Sequence, residues 1–209
     1  NGNILTIVWN KIEKKNVGKV GYKSENDIFP ERIVEIDPKT NLIIWKWDSM
    51  DHIIQDANSK APNYGTVSKY PEKIDLNYAQ PYSGMIMHGN GLAYDPKTDL
   101  IYMSVYNFSE VWVIDHSTSS GEVRTGKWGN FNRWGDLVYR FGNPSAYGGT
   151  GTRLFYSNHH PSFTESGTFL IYSNGIKANP EQSTAYELSL PKELEEKKAQ
   201  AEAAEAAKK

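Results

Sequence analysis

The chain has 209 residues, enough for one domain of ordinary size or two small ones, and Lys plus Arg at 23 nearly balance Asp plus Glu at 25. A formal charge of -2 offers no basic excess to neutralise a phosphate backbone, so nucleic acid is not expected as the main partner. No run approaches the roughly 18 apolar residues that a membrane helix needs, and with no cysteine there can be no disulfide framework, thiolate zinc site or cysteine nucleophile.

The aromatic content, 12%, and the 17 glycines point to short strands and tight turns. Asn1-Gly2-Asn3 leads straight into the apolar run Ile4 to Trp9, as expected of an internal piece of a larger protein. In chain order, strands are predicted at Ile4 to Trp9, Arg32 to Asp37, Leu42 to Trp47, Gly91 to Asp95, Leu100 to Val105, Glu110 to Asp115, Asp136 to Phe141, Arg153 to Tyr156, Thr168 to Ser173 and Thr184 to Leu190. These segments are rich in Val, Ile, Tyr, Trp and Leu and are bounded by Gly, Asp, Asn or Pro. Helix is expected only after Pro191, where Lys, Glu, Ala and Gln with the single Leu194 read as a solvated tail without an apolar stripe.

Glu35 to Ile44 resembles Ala93 to Tyr102, each copy carrying an Asp-Pro-Lys-Thr turn, at Asp37 and at Asp95. Asp bonds back to the backbone and Pro presets the next φ, so each copy is expected to be a hairpin. Hairpins recurring at about 40 to 60 residues suggest propeller blades, and at that spacing the chain holds roughly four. The expected fold class is all-β, a partial β-propeller over residues 1 to 190, with a helical tail over 191 to 209. A β-sandwich is the competing architecture.

All five histidines, His52, His88, His116, His159 and His160, fall at predicted strand ends or in the loops that follow. In a propeller such loops gather at the mouth of the channel, where distant residues can face one substrate. Several other motifs have plainer readings. The Asp-Pro-Lys-Thr segments are turns rather than metal loops. Asp115-His116-Ser117 cannot form a triad from adjacent strand positions that point to opposite faces. Gly148-Gly149 lacks the strand and helix of a phosphate cradle.

Taken in order, Trp45-Lys46-Trp47 with Asp51-His52, Met87-His88-Gly89-Asn90 with Tyr94-Asp95-Pro96, Phe108 to His116, Tyr139 to Pro144 with Tyr147-Gly148, Asn158-His159-His160-Pro161 and Tyr172 to Gly175 resemble the arylsulfotransferase family over about residues 1 to 190. The resemblance implies a six-bladed propeller that moves a sulfuryl group from a phenolic sulfate ester to another phenol. It implies no phosphoadenosine phosphosulfate, no other cofactor and no metal, and a periplasmic or secreted location. The family's nucleophilic histidine falls on His159, with His160 the neighbouring alternative. Its His-x-Asn segment falls on His88 and Asn90, and its earlier Asp-His on Asp51 and His52, so His159, His88 and His52 are the expected catalytic set.

The family's sulfate-binding Arg falls on Tyr106, which can donate one hydrogen bond but brings no cation. Arg140 or His116 is expected to supply the missing charge, and with His160, Asn90 and Tyr106 they complete the expected substrate-binding set. A neutral imidazole is a competent nucleophile near pH 7, and a phenol of pKa about 10 is a tolerable leaving group, so a sulfohistidine intermediate and ping-pong kinetics are expected. Two other readings remain: a non-catalytic propeller that binds an aryl or carbohydrate ligand, favoured by Tyr106, and a metal-assisted hydrolase. Exposed sheet edges lead to an expectation of edge-to-edge pairing, for example a homodimer.

Overall fold

A computed structural model describes residues 2–194 and 196. The first sheet is β1 (Ile4–Trp9), β2 (Glu31–Asp37) and β3 (Leu42–Asp48), in that order and antiparallel. A parallel pair of two-residue strands, β4 (Ile53–Ile54) and β5 (Ile74–Asp75), follows in a long irregular stretch. The second sheet is β6 (Gly89–Asp95), β7 (Leu100–Val105), β8 (Glu110–Asp115) and β9 (Tyr139–Phe141), again antiparallel and in chain order. The third is β10 (Asn158–Phe163), β11 (Phe169–Ser173) and β12 (Thr184–Leu188). β1 and β10 both pack against β6, so the sheets follow one another, and among the described residues they do not close into a ring.

The second sheet lies between two cores, and the period-two alternation of its strands shows why. Ile101, Met103 and Val105 of β7, with Trp112 and Ile114 of β8, pack with Ile33, Trp45 and Trp47 of the first sheet. Leu100 and Tyr102, with Val111 and Val113, pack with Phe155, Phe169 and Ile171 on the other side. Both strands are therefore buried on both faces, and their sequences are nearly continuous apolar runs. Truncating the fully buried Trp112 to Ala is expected to cost about 3–5 kcal/mol.

Both Asp-Pro-Lys-Thr segments are hairpin turns. Asp37 accepts from Lys39 N at 2.8 Å and from Thr40 Oγ1 at 2.9 Å, and Asp95 accepts from Lys97 N at 2.9 Å and from Thr98 Oγ1 at 2.6 Å. The copies occupy different places, however. The first joins the second and third strands of its sheet, the second joins the first and second of its own. Among the described residues there are three antiparallel sheets where that spacing suggested about four units.

Two strand expectations are corrected. Arg153 to Tyr156 is not a strand, and the third sheet instead starts at Asn158, in a segment whose histidines and proline do not look strand-like. β9 begins at Tyr139 rather than at Asp136. Helix is also not confined to the tail. Ahead of the tail the described residues include two short α-helices, α1 (Lys14–Val17) and α2 (Ser120–Val123), the latter started by a capping box in which Ser119 Oγ accepts from Glu122 N at 3.2 Å and Glu122 accepts from Ser119 N at 3.0 Å. Most of the expected tail helix lies outside the described residues. Within them, Leu194 is buried against the second core, so this leucine is packed rather than solvated. On β3, which pairs only with β2 among the described residues, Leu42, Ile43 and Ile44 are 63%, 59% and 54% exposed.

Candidate functional site

The site is built where β6 begins, β7 ends and β10 begins. His88 precedes β6 with φ 56, and the chain leaves the β7 end opposite it, Tyr106 N donating to His88 O at 3.1 Å. That pairing stacks the two rings, with centroids 4.8 Å apart and planes at 26°. A Cβ at Gly89 would lie 2.0 Å from the Met103 methyl, so a larger residue there would have to displace the end of that flexible side chain.

β10 is brought against β6 by a similar economy of space. A Cβ at Gly91 would lie 2.5 Å from the Pro161 ring. Asn158, fully buried, donates to Ser104 Oγ at 2.8 Å and to the Glu110 carbonyl at 2.9 Å, while Asn90 Nδ2 donates to the Asn158 carbonyl at 2.9 Å. These bonds fasten the start of β10, and the next residue, His159, meets Tyr106 edge-on with centroids 5.3 Å apart. Tyr106 thus stands between the two histidines.

Around His159, Nδ1 lies 3.2 Å from the Ser157 carbonyl and 3.2 Å from Asn174 Nδ2. A carbonyl can only accept, so it selects the tautomer with the proton on Nδ1, and Nε2 then carries the lone pair. The Asn174 amide serves the same N–H when its oxygen faces the ring. For His88, burial first, and then the neighbouring His159, lowers the pKa below the usual value, so this ring is neutral at pH 7.

The other expected residues go elsewhere. His160 is exposed and left-handed at φ 56, and the ring that meets Tyr106 is that of His159. His52 is buried, stacks on Trp47 at 5.1 Å and holds Asp136 through Nδ1 at 2.9 Å, with Lys73 on the same carboxylate at 2.8 Å. His116 bridges two carboxylates, Nδ1 to Asp99 at 2.8 Å and Nε2 to Glu35 at 2.9 Å. Arg140 is buried, donates from Nε to Glu110 at 2.9 Å and pairs with the same carboxylate through Nη2. The charges of Arg140 and His116, either of which was expected to serve the site, are thus engaged by acids, Arg140 by buried Glu110 and His116 by Asp99 and buried Glu35.

Three residues at the site lie outside the expected set of site residues. Asn158 and Asn174 act through the backbone and amide bonds just described. Glu31, the first residue of β2, is fully buried and accepts from Gly89 N at 3.2 Å. Burial raises its pKa to about 7, with backbone hydrogen bonds from Gly89 and His88 and the Trp9 side chain partly offsetting the shift. A cavity of about 490 Å³ lies between the second and third sheets, lined by Tyr94, Tyr102, Phe163, Thr168 and Leu194, and His88, Tyr106 and His159 are not among its lining residues.

No match is found among the curated proteins. Among solved structures the chain is similar to hydrazine synthase from Kuenenia stuttgartiensis, at 15% identity and a TM-score of 0.40, over 90% of this chain and 43% of that one. The chain thus spans less than half the length of that structure. The family model for arylsulfotransferase (ASST) matches residues 1–201, running past the resemblance read from the motifs and into the tail. The chain belongs to the arylsulfotransferase family.

Proposed function

We infer that the chain is part of an aryl-sulfate sulfotransferase that moves a sulfuryl group from a phenolic sulfate ester to a phenol without a bound cofactor, at a periplasmic or secreted location. The observation that carries this reading is the contact of His88, Tyr106 and His159 at the joined ends of β6, β7 and β10, in a chain of this family. The three successive sheets are read as blades of a partial β-propeller over residues 1 to 190, with 191 to 209 as an appended tail, and edge pairing into a homodimer is part of the same reading.

His159 Nε2 attacks sulfur, the S–O bond to the aryl group breaks, and the phenolate takes a proton from solvent. The sulfohistidine is then attacked by the acceptor phenol, whose proton passes to neutral His88 as the S–N bond breaks. Tyr106 donates one hydrogen bond to a sulfuryl oxygen where the family pattern has a guanidinium, and Asn90 lies beside it. His52, given the nature of its partners, acts as a structural support rather than as a sulfate ligand.

Tyr106 also favours a second reading, a non-catalytic propeller that binds an aryl or carbohydrate ligand. Incubation with 4-nitrophenyl sulfate and excess phenol separates the two. Nitrophenolate release that requires phenol, and that is lost in His159→Ala, is the expected result. A folded chain that releases none leaves the binding reading in its place.

A further inference from the structure

Glu31 has no part in the transfer chemistry, yet it is the buried acid in contact with the site. A histidine with φ 56 persists only where its surroundings over-determine it. The surroundings here are specific. Gly89 N donates to Glu31 Oε1 at 3.2 Å, the backbone of His88 also favours the ionised acid, and Oε2 is buried without a hydrogen-bond partner of ordinary geometry. Successive N–H groups around a left-handed residue form a concave donor site for an anion, and the Glu31 carboxylate fills that place.

We propose that Glu31 is a positioning residue for His88: its carboxylate, buried beneath the left-handed His88–Gly89 turn, holds that turn and with it the stack of the imidazole on Tyr106. The proposal rests on the reading of His88 as part of the transfer site. Its electrostatic setting is simple. From β1 Glu31 faces Trp9, from the start of β6 it faces His88 and Gly89, and its own carbonyl accepts from Ser49. The nearest charges in sequence and register, Arg32 and Asp48, are paired with each other. The leading influences on the ionisation of Glu31 are burial and these hydrogen bonds.

The hold is strongest when the acid is ionised, because a carboxylate is the better acceptor. As pH rises through about 7, the value to which burial lifts Glu31, the turn tightens. Glu31→Gln keeps the shape and one acceptor but removes the titration, so it mimics the protonated acid at every pH.

The test is histidine-selective NMR on the full natural chain. In the wild type the His88 ring shift is expected to show its own protonation step and a second inflection near pH 7. In Glu31→Gln the second inflection should vanish, while the titration of His116 stays in place. Glu31→Asp, which keeps the charge but shortens the reach, should retain an inflection with a weakened His88–Tyr106 ring contact. If the His88 titrations of wild type and Glu31→Gln superimpose, the proposal is overturned, and a change confined to melting temperature would mean a core residue and no more. A chain without sulfuryl transfer whose His88 still responds to Glu31→Gln would remove the transferase reading and leave this inference standing. Where transfer is present, the pH profile of kcat should lose a step in Glu31→Gln with KM within about twofold of wild type.

Discussion

His159 and His116 are both partly buried imidazoles near a strand end, and they differ in what their nitrogens meet. Both nitrogens of His116 are committed to carboxylates, Asp99 and Glu35, which come from different sheets and are tied together by it. His159 has its Nδ1 turned to a carbonyl and an amide, and among the described residues no hydrogen bond engages Nε2. A ring nitrogen held by a buried carboxylate has neither a free lone pair nor freedom to approach a substrate. Saturated polar partners therefore mark a histidine that holds the fold together, and an imidazole with an uncommitted ring nitrogen keeps the lone pair that a nucleophile needs.

The largest expected effect separates the two histidines directly. His159→Ala should lower kcat/KM with 4-nitrophenyl sulfate by roughly a thousandfold or more while the urea midpoint hardly moves, and His116→Ala should do the reverse. Next is Arg140→Leu. It leaves Glu110 buried without its partner and should cost about 3–5 kcal/mol in urea unfolding, much of which the double variant Glu110→Leu with Arg140→Leu recovers.

A smaller effect depends on pH. Burial acts against the charged form of His116, but its hydrogen bonds to Asp99 and Glu35 and their charges together prevail and raise its pKa above the usual value. The folded state thus binds this proton more tightly than the unfolded state. The contribution is fully present below about 6.5, the ordinary histidine value, and is lost as pH rises through the higher folded value. His116→Gln should therefore cost more stability at pH 6 than at pH 9, read from paired urea titrations. Smallest is Tyr106→Arg, which restores a guanidinium between the two site histidines and should lower KM for the sulfate donor by about tenfold, as initial rates would show.

What could be read from the sequence follows how local each signal is. β7 and β8 announce themselves because burial on both faces demands apolar residues at every position. β10 does not, since Asn158-His159-His160-Pro161 has no strand propensity, and its pairing depends on long-range bonds from Asn158 to Ser104 and to the Glu110 carbonyl. The same division holds at the site. His88 and His159 stand in motifs specific enough to find, and the structure brings both to Tyr106. The places of His52, His116 and Arg140 were set instead by acids distant in sequence, Asp136, Glu35 and Glu110, and no spacing rule anticipates those encounters. Glu31 was invisible because a strand-initiating glutamate ordinarily faces water.

The exposed Leu42, Ile43 and Ile44 of β3 have a practical consequence. Three exposed apolar residues in a row leave this edge greasy as well as, among the described residues, open along its backbone. Under the proposed edge pairing two molecules would meet there, and encounters of that kind grow with the square of concentration. Dilute samples and crowded ones would then be different materials, and a single lysine at position 43 should be enough to keep a concentrated solution clear.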